Sequence, residues 1–234
     1  MVMFLDVEWQ TISNYQLIKR ILKILKMAKE EVKLIAIKEF TPLNLQFGKC
    51  SMVKCGDRFS LFVDKNKTKI YACGYNKNGE CGVLDDDLEI FELPHLIYDL
   101  RKDIGATEEE IIEDLTIGYS HFILKTSQRL LFFGNNVNNQ LPIELSNHWS
   151  TNFLKGQVIN LDKFGQNINT ILKVESKYDR TAILFKNGTC LLFGGKFNTT
   201  ELNPFIDFTK ELPGLNITKI GLGVNYEIIH GYYN

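Results

Sequence analysis

The apolar residues of this chain recur in short runs separated by polar turns, and the runs repeat. Ile70-Tyr-Ala-Cys-Gly74 is followed sixty residues on by Leu130-Leu-Phe-Phe-Gly134, and sixty further on by Cys190-Leu-Leu-Phe-Gly194. A second apolar run precedes each of these. The three are Phe59-Ser-Leu-Phe-Val63, His121-Phe-Ile-Leu124 and Arg180-Thr-Ala-Ile-Leu184. Between the paired runs lie Asp64 to Lys69, Lys125 to Arg129, and Lys186-Asn187-Gly188-Thr189. Runs of five or six residues rich in Phe, Ile, Leu and Val predict strands, and the polar interruptions predict hairpin turns. Asn187-Gly188 is the strongest of these signals, because both central positions of a type I′ turn want positive φ.

A third feature repeats upstream. Val53-Lys-Cys55-Gly56, Leu115-Thr-Ile-Gly118 and Val174-Glu-Ser-Lys177 lead into the three hairpins, and Ile220-Gly-Leu-Gly223 leads into a partial fourth copy ending near Ile229. Self-similarity at a fixed period is the signature of a repeat architecture. Six glycines mark it: Gly56, Gly118 and Gly223 at the starts, Gly74, Gly134 and Gly194 at the exits.

These residues resemble the regulator of chromosome condensation repeat family. Its blades carry a V-x-C-G start, a His-Ser/Thr-x-Ala-Leu strand and a W-G-x-N-x-x-G-Q-L-G exit. The first copy keeps Val53-x-Cys55-Gly56 and Gly74-Tyr-Asn76-Lys-Asn-Gly79-Glu-Cys-Gly82. The second keeps Gly118, His121, Gly134-x-Asn136 and Gln140-Leu141, and the third keeps Thr181-Ala182-Ile183-Leu184 and Gly194. Departures are Lys177 at a start glycine and Cys73, Phe133 and Phe193 at the Trp position. The resemblance implies circular β-propellers of four-stranded blades, typically seven. Seven blades of about sixty residues need about 420 residues, and this chain has 234. The expected fold is therefore mainly β: an incomplete propeller of about three to four blades preceded by an N-terminal α-helix. The repeats divide at about 49–110, 111–170, 171–215 and a partial 216–234.

Residues 1–48 do not match the repeat. Ser13-Asn-Tyr-Gln16 has capping-box form, and Leu17, Ile18, Ile21, Leu22, Leu25, Ala28 and Val32 follow at helical spacing. Lys19, Arg20, Lys23, Lys26 and Lys29 make the other face basic. Such a helix covers an open blade edge with its apolar face, or binds a membrane surface or a partner groove. Leu34 to Phe40 is a candidate strand beside the first blade.

Composition changes the picture little. Apolar residues make up 44% and charged residues 24%, which is ordinary for a globular chain. A net charge of −1 argues against general affinity for nucleic-acid phosphates. The five cysteines are an odd count, as expected of reduced thiols. The opening residues carry no basic leader with a long apolar core, and no run is long enough to span a membrane, so an intracellular location, cytoplasmic or nuclear, is expected. The sequons at Asn66, Asn187, Asn198 and Asn216 then read as turn asparagines.

Charge is unevenly placed. Glu80 to Asp114 holds thirteen acids against Arg101 and Lys102. Asp85, Asp86, Asp87, Glu89, Glu92, Glu108, Glu109 and Glu110 form a candidate acidic patch for a partner's basic segment. Thr107-Glu-Glu-Glu110 also has capping-box form before Ile111-Ile112.

No catalytic constellation is legible. The cysteine spacings do not form a zinc site, and there is no nucleophile elbow, phosphate loop or H-E-x-x-H. His121 shares its repeat position with Phe59, Arg180 and Tyr226, which marks it as structural. The expectation is a non-enzymatic interaction scaffold without a cofactor. The resemblance adds guanine-nucleotide exchange on a small GTPase as an alternative, and the shortfall in blades adds a subunit whose ring another chain completes.

Overall fold

The computed structural model describes residues 45–77, 79–83, 89–140, 153–195, 205–224 and 226–233. The chain divides into two compact units, Met1–Lys49 and Cys50–Asn234. Of the first unit only residues 45–49 are described, where the Gly48 N–H donates to the Leu45 carbonyl (2.9 Å). The proposed helix from Ser13 to Val32 and the strand from Leu34 to Phe40 lie outside the described residues, as do Asp85, Asp86 and Asp87.

Among the described residues the second unit forms three four-stranded antiparallel sheets and a hairpin, the partial propeller expected from the repeat. The first sheet runs β1 (Cys50–Cys55), β2 (Phe59–Asp64), β3 (Lys69–Tyr75) and β4 (Ile90–Asp99) in spatial order. The second runs β5 (Ile112–Ile117), β6 (His121–Thr126), β7 (Leu130–Asn135) and β8 (Phe153–Val158). The third runs β9 (Ile171–Lys177), β10 (Arg180–Phe185), β11 (Cys190–Gly194) and β12 (Phe205–Asp207). The partial fourth copy forms the hairpin of β13 (Leu215–Leu222) and β14 (Glu227–Tyr233). Two one-turn helices, α1 (Leu100–Asp103) and α2 (Phe208–Glu211), follow the outer strands of the first and third sheets. Asp99 caps α1 by accepting from the Arg101 N–H (3.0 Å).

The hairpin turns fall where the polar interruptions placed them. The fourth strands are the part the apolar pattern did not show. β4 lies inside the acidic stretch, where single charges interrupt a run that still buries Phe91, Ile97 and Tyr98. The helix start anticipated at Thr107 is a correction. Residues 107–110 form a turn closed by the Glu110 N–H on the Thr107 carbonyl (3.0 Å), and Ile112 opens β5.

Three apolar layers separate the sheets. Successive residues of one strand serve different layers. Phe122, Leu124, Leu131 and Phe133 face the first sheet, whereas Ile123, Leu130 and Phe132 face the third. Likewise Ile183, Phe185, Leu191 and Phe193 pack towards the second sheet, while Ala182, Leu184, Cys190 and Leu192 meet Ile217, Ile220 and Leu222 of the hairpin. Burial on both faces explains why these strands read as unbroken apolar runs. Each fully buried Phe, Leu or Ile contributes about 1.5–3 kcal/mol.

Candidate partner-binding rim

Strand direction places the start loops and the exit loops at one end of every sheet. The start loops are residues 56–58, 118–120 and 178–179, with 223, 224 and 226 in the fourth copy. The exit loops follow Gly74, Gly134 and Gly194.

The exit glycines are left-handed, with φ of 114° at Gly74, 94° at Gly134 and 82° at Gly194. A Cβ at these positions would stand 2.3 Å from the Arg58 carbonyl, 2.4 Å from that of Ser120 and 2.0 Å from that of Asp179. The same three carbonyls accept from the N–H groups of Tyr75 (2.9 Å), Asn135 (2.8 Å) and Gly195 (3.1 Å). Only glycine allows that approach.

The start glycines have a different reason. At Gly56, Gly118 and Gly223 the ring of the residue three places on, Phe59, His121 or Tyr226, lies over the backbone, 2.6, 2.2 and 2.6 Å from where a Cβ would be. In the third copy that residue is Arg180, which has no ring, and the site holds Lys177. Instead, the Arg180 guanidinium reaches the hairpin. It pairs with Glu227 (2.8 Å) and donates to the Gly223 carbonyl (2.9 Å). His121 makes the corresponding tie from the second sheet to the third, its Nε2 hydrogen-bonded to the Thr181 hydroxyl at 2.9 Å. Thr181 lies in turn 3.3 Å from the Ser176 hydroxyl, and the Ser176 N–H donates to Thr116 (2.8 Å). The Tyr119 N–H donates to the Tyr178 carbonyl (2.8 Å), so the two start loops are joined.

His121 is fully buried, stacked on Phe132, and its Nδ1 has no hydrogen-bond partner. Burial pulls its pKa down to about 3. It is a neutral structural group, as its repeat position indicated. Burial likewise pushes the Cys73 thiol up to about 11 and the Cys190 thiol up to about 12, which leaves both protonated and unreactive at neutral pH.

The first exit loop is folded on itself over its described residues. Asn76 is buried; its side chain donates to the Val83 carbonyl (2.8 Å) and accepts from the Cys81 N–H (3.0 Å). Gly82 packs against Phe122 and Phe133 of the next sheet, and Gln140 stands against Gly194 of the one after. On this frame Tyr119, Val137, Tyr178, Phe205, Val224 and Tyr226 are exposed. The guanidinium of Arg58 lies over the Tyr75 ring (5.5 Å) and the ammonium of Lys177 over Tyr178 (5.8 Å).

The described residues of the acidic set are not brought together. Glu89, paired with Lys77 at 3.4 Å, stands at the rim, and exposed Glu92 begins the descent of β4. Glu108, Glu109 and Glu110 lie beyond the other end of β4, whose ten residues span about 33 Å. Glu108 and Glu109 are exposed. Glu110 is a correction to the surface patch: it is completely buried, 2.9 Å from Arg129, and accepts from the Thr126 hydroxyl (2.7 Å). Arg101 donates to the carbonyls of Glu108 (2.8 Å) and Glu110 (2.9 Å), which fixes this turn to α1. The sequence carried no sign of this inward turn.

Between the inner strands runs a concavity of about 340 Å³ lined by Lys54, Cys55, Asp114, Thr116, Lys173 and Glu175 among others. Its charges tie neighbouring sheets. Lys54 pairs with Asp114 (3.8 Å), Lys173 donates to the Ile220 carbonyl (3.1 Å), and Glu175 accepts from the Leu222 N–H (3.0 Å). Among the described residues no three His, Cys, Asp or Glu side chains converge as metal ligands, and no helix is long and apolar enough to cross a membrane.

No family model and no curated protein matches the sequence. The fold is similar to that of solved propellers. Human WBSCR16 aligns over 86% of this chain with 18% identity and a TM-score of 0.56. Prp20p of Saccharomyces cerevisiae, in a structure reported with its binding properties to Gsp1p and histones, aligns over 79% with 16% identity and a TM-score of 0.60. Yeast RCC1 (Prp20) bound to Kap60 aligns over the same share with 16% identity and a TM-score of 0.57. The chain covers 48%, 44% and 42% of those three chains respectively, less than half of each. The class is thus a partial β-propeller with the fold of these regulator-of-chromosome-condensation-like proteins.

Proposed function

We propose that this chain is a non-enzymatic protein-interaction scaffold that contacts its partner through the rim of start and exit loops. The observation that carries the reading is the pairing of a locked backbone with exposed side chains. Glycines pressed against carbonyls and ties such as His121–Thr181 and Arg180–Glu227 hold the loops, while Tyr119, Val137, Tyr178 and Tyr226 remain open to solvent. Rigid presentation of aromatic groups lowers the ordering cost of binding, and Tyr is enriched in interface hot spots. Rim acids such as Glu89, with Asp85, Asp86 and Asp87 as neighbours in sequence, would favour a partner with a basic segment.

The test is quantitative capture from cells by the wild-type chain and by a Tyr119→Lys/Tyr178→Lys variant. Loss of the same proteins from the variant, with its melting temperature unchanged, supports the rim. Identical capture by both defeats it.

Regulation of a small GTPase is the second reading, and it rests on the likeness to Prp20p, whose structure names Gsp1p and histones as what it binds. Nucleotide release from a panel of small GTPases tests it. No acceleration at any concentration of the chain removes it.

A further inference from the structure

Each of the first three start loops turns on two residues, Asp57-Arg58, Tyr119-Ser120 and Tyr178-Asp179. In the first copy the turn holds a guanidinium. Arg58 lies over the Tyr75 ring at 5.5 Å and pairs with the Asp57 carboxylate at 3.3 Å. The third copy has a tyrosine ring and a carboxylate in its turn but no arginine on them, because Arg180 is turned away to Glu227. The Tyr178 ring is 40% exposed, beside Tyr119 at 41%, so both keep an open face. Among the described residues nothing hydrogen-bonds or pairs with the half-buried Asp179 carboxylate. The ring carries the ammonium of Lys177 instead, 5.8 Å from its centre, and no described acid pairs with that ammonium. The backbone that offers these groups is strained. Tyr178 is left-handed (φ 49°), whereas Asp57 and Tyr119 at the same place in their turns are not. A bulky residue adopts that conformation only where its surroundings hold it, and such residues gather at binding sites. Here the Tyr178 carbonyl accepts from the Tyr119 N–H (2.8 Å) and the Asp179 carbonyl from the Gly195 N–H (3.1 Å), so the main chain is fixed while the ring and the carboxylate stay open.

We propose that the Tyr178-Asp179 turn is the receptor for an arginine side chain in the partner's basic segment. The guanidinium lies on the Tyr178 ring and pairs with Asp179, as Arg58 does with Tyr75 and Asp57. Lys177 occupies the ring until then and leaves it when the arginine enters. A guanidinium suits this place better than an ammonium, because its planar fork stacks on a ring and donates to a carboxylate at the same time. Lys177 shows the difference, since it reaches the ring without pairing with Asp179. The inference rests on the rim as the contact surface and names the group that this part of the rim selects.

The probe is a fluorescein-labelled peptide, Gly-Arg-Gly-Arg-Gly-Arg-Gly, with a counterpart in which citrulline keeps the shape of each arginine and removes its charge. Anisotropy with the whole chain should saturate below about 1 mM for the arginine peptide and not for the citrulline peptide. Asp179→Asn should weaken binding by about tenfold or more. Lys177→Ala should tighten it by about two- to fivefold, the worth of the exposed cation–π contact that the arginine has to displace. Tyr178→Phe keeps the ring and should bind like the wild type. Tyr178→Gly relieves the left-handed backbone and should lose the peptide without a lower melting temperature. Equal binding of the citrulline peptide, no saturation, unchanged affinity in Asp179→Asn, or equal or weaker binding by Lys177→Ala overturns the proposal. Should Asp179→Asn or Tyr178→Gly lower the melting temperature, Lys177→Ala decides, because it leaves the turn and its hydrogen bonds intact. The two readings fail separately. Cellular capture lost in the Tyr119→Lys/Tyr178→Lys variant, with peptide binding indifferent to Asp179 and Lys177, keeps the rim and overturns the arginine receptor. Peptide binding that follows Asp179 and Lys177, with capture unchanged in that variant, supports the receptor and defeats the broader rim.

Discussion

Protonating His121 should open the joint between the second and third sheets. The imidazole is completely buried, stacked on Phe132 and hydrogen-bonded to Thr181, and its Nδ1 has no hydrogen-bond partner. Its pKa is lowered by burial from 6.5 to about 3 in the folded protein. The unfolded chain therefore binds one more proton between those two values. Stability from this group is complete above pH 6.5 and falls as pH drops towards 3, by up to about 1.4 kcal/mol per pH unit. Between pH 7 and 5 the loss is about 2 kcal/mol. His121→Phe, the residue its repeat position holds in the first copy, removes the titration at the cost of one hydrogen bond, about 1 kcal/mol. Urea denaturation of both proteins at half-unit steps from pH 7 to 5 separates the two effects. The wild-type curve should fall more steeply than the variant's by about 2 kcal/mol over that range. Parallel curves would refute a neutral, desolvated His121.

The other expectations concern the same frame. Gly134→Ala meets the Ser120 carbonyl at 2.4 Å and should destabilise by about 2–4 kcal/mol, whereas Gly105→Ala, with φ 60° and open space, should cost about 1 kcal/mol; thermal denaturation of both compares them. Arg180→Ala and Glu227→Ala should be coupled by about 1–2 kcal/mol in a double-mutant cycle read by chemical denaturation. Glu110→Gln should cost about 3 kcal/mol by leaving Arg129 without its buried partner, while Glu108→Lys and Glu109→Lys should stay within about 0.5 kcal/mol.

Particular residues explain why some of this was legible and some was not. The start and exit glycines recur at near-constant spacing because each answers a local need, a ring over the backbone at Gly118 or a carbonyl against Gly134. Local needs repeat with the sequence. Lys177 looked like a failed match until Arg180 showed that no ring lies over that site. The outer strands were hidden because they are less apolar. In β4 the exposed positions include Glu92, His95 and Leu96, so charge density masked a strand that still buries Phe91 and Ile97. Glu110 was read as surface because its neighbours Glu108 and Glu109 are surface. Its partner Arg129 comes from the next hairpin, nineteen residues away.

The sequence by itself determined the repeat, the hairpins, the turn positions and the mainly β fold, since strand runs and turn residues act over a few positions. Only the tertiary structure decided how neighbouring sheets are tied, that His121 is sealed against Thr181, and that the described acids part to opposite ends of β4. Each of those depends on groups sixty or so residues apart, or on opposite ends of a strand, and no local pattern carries such a distance.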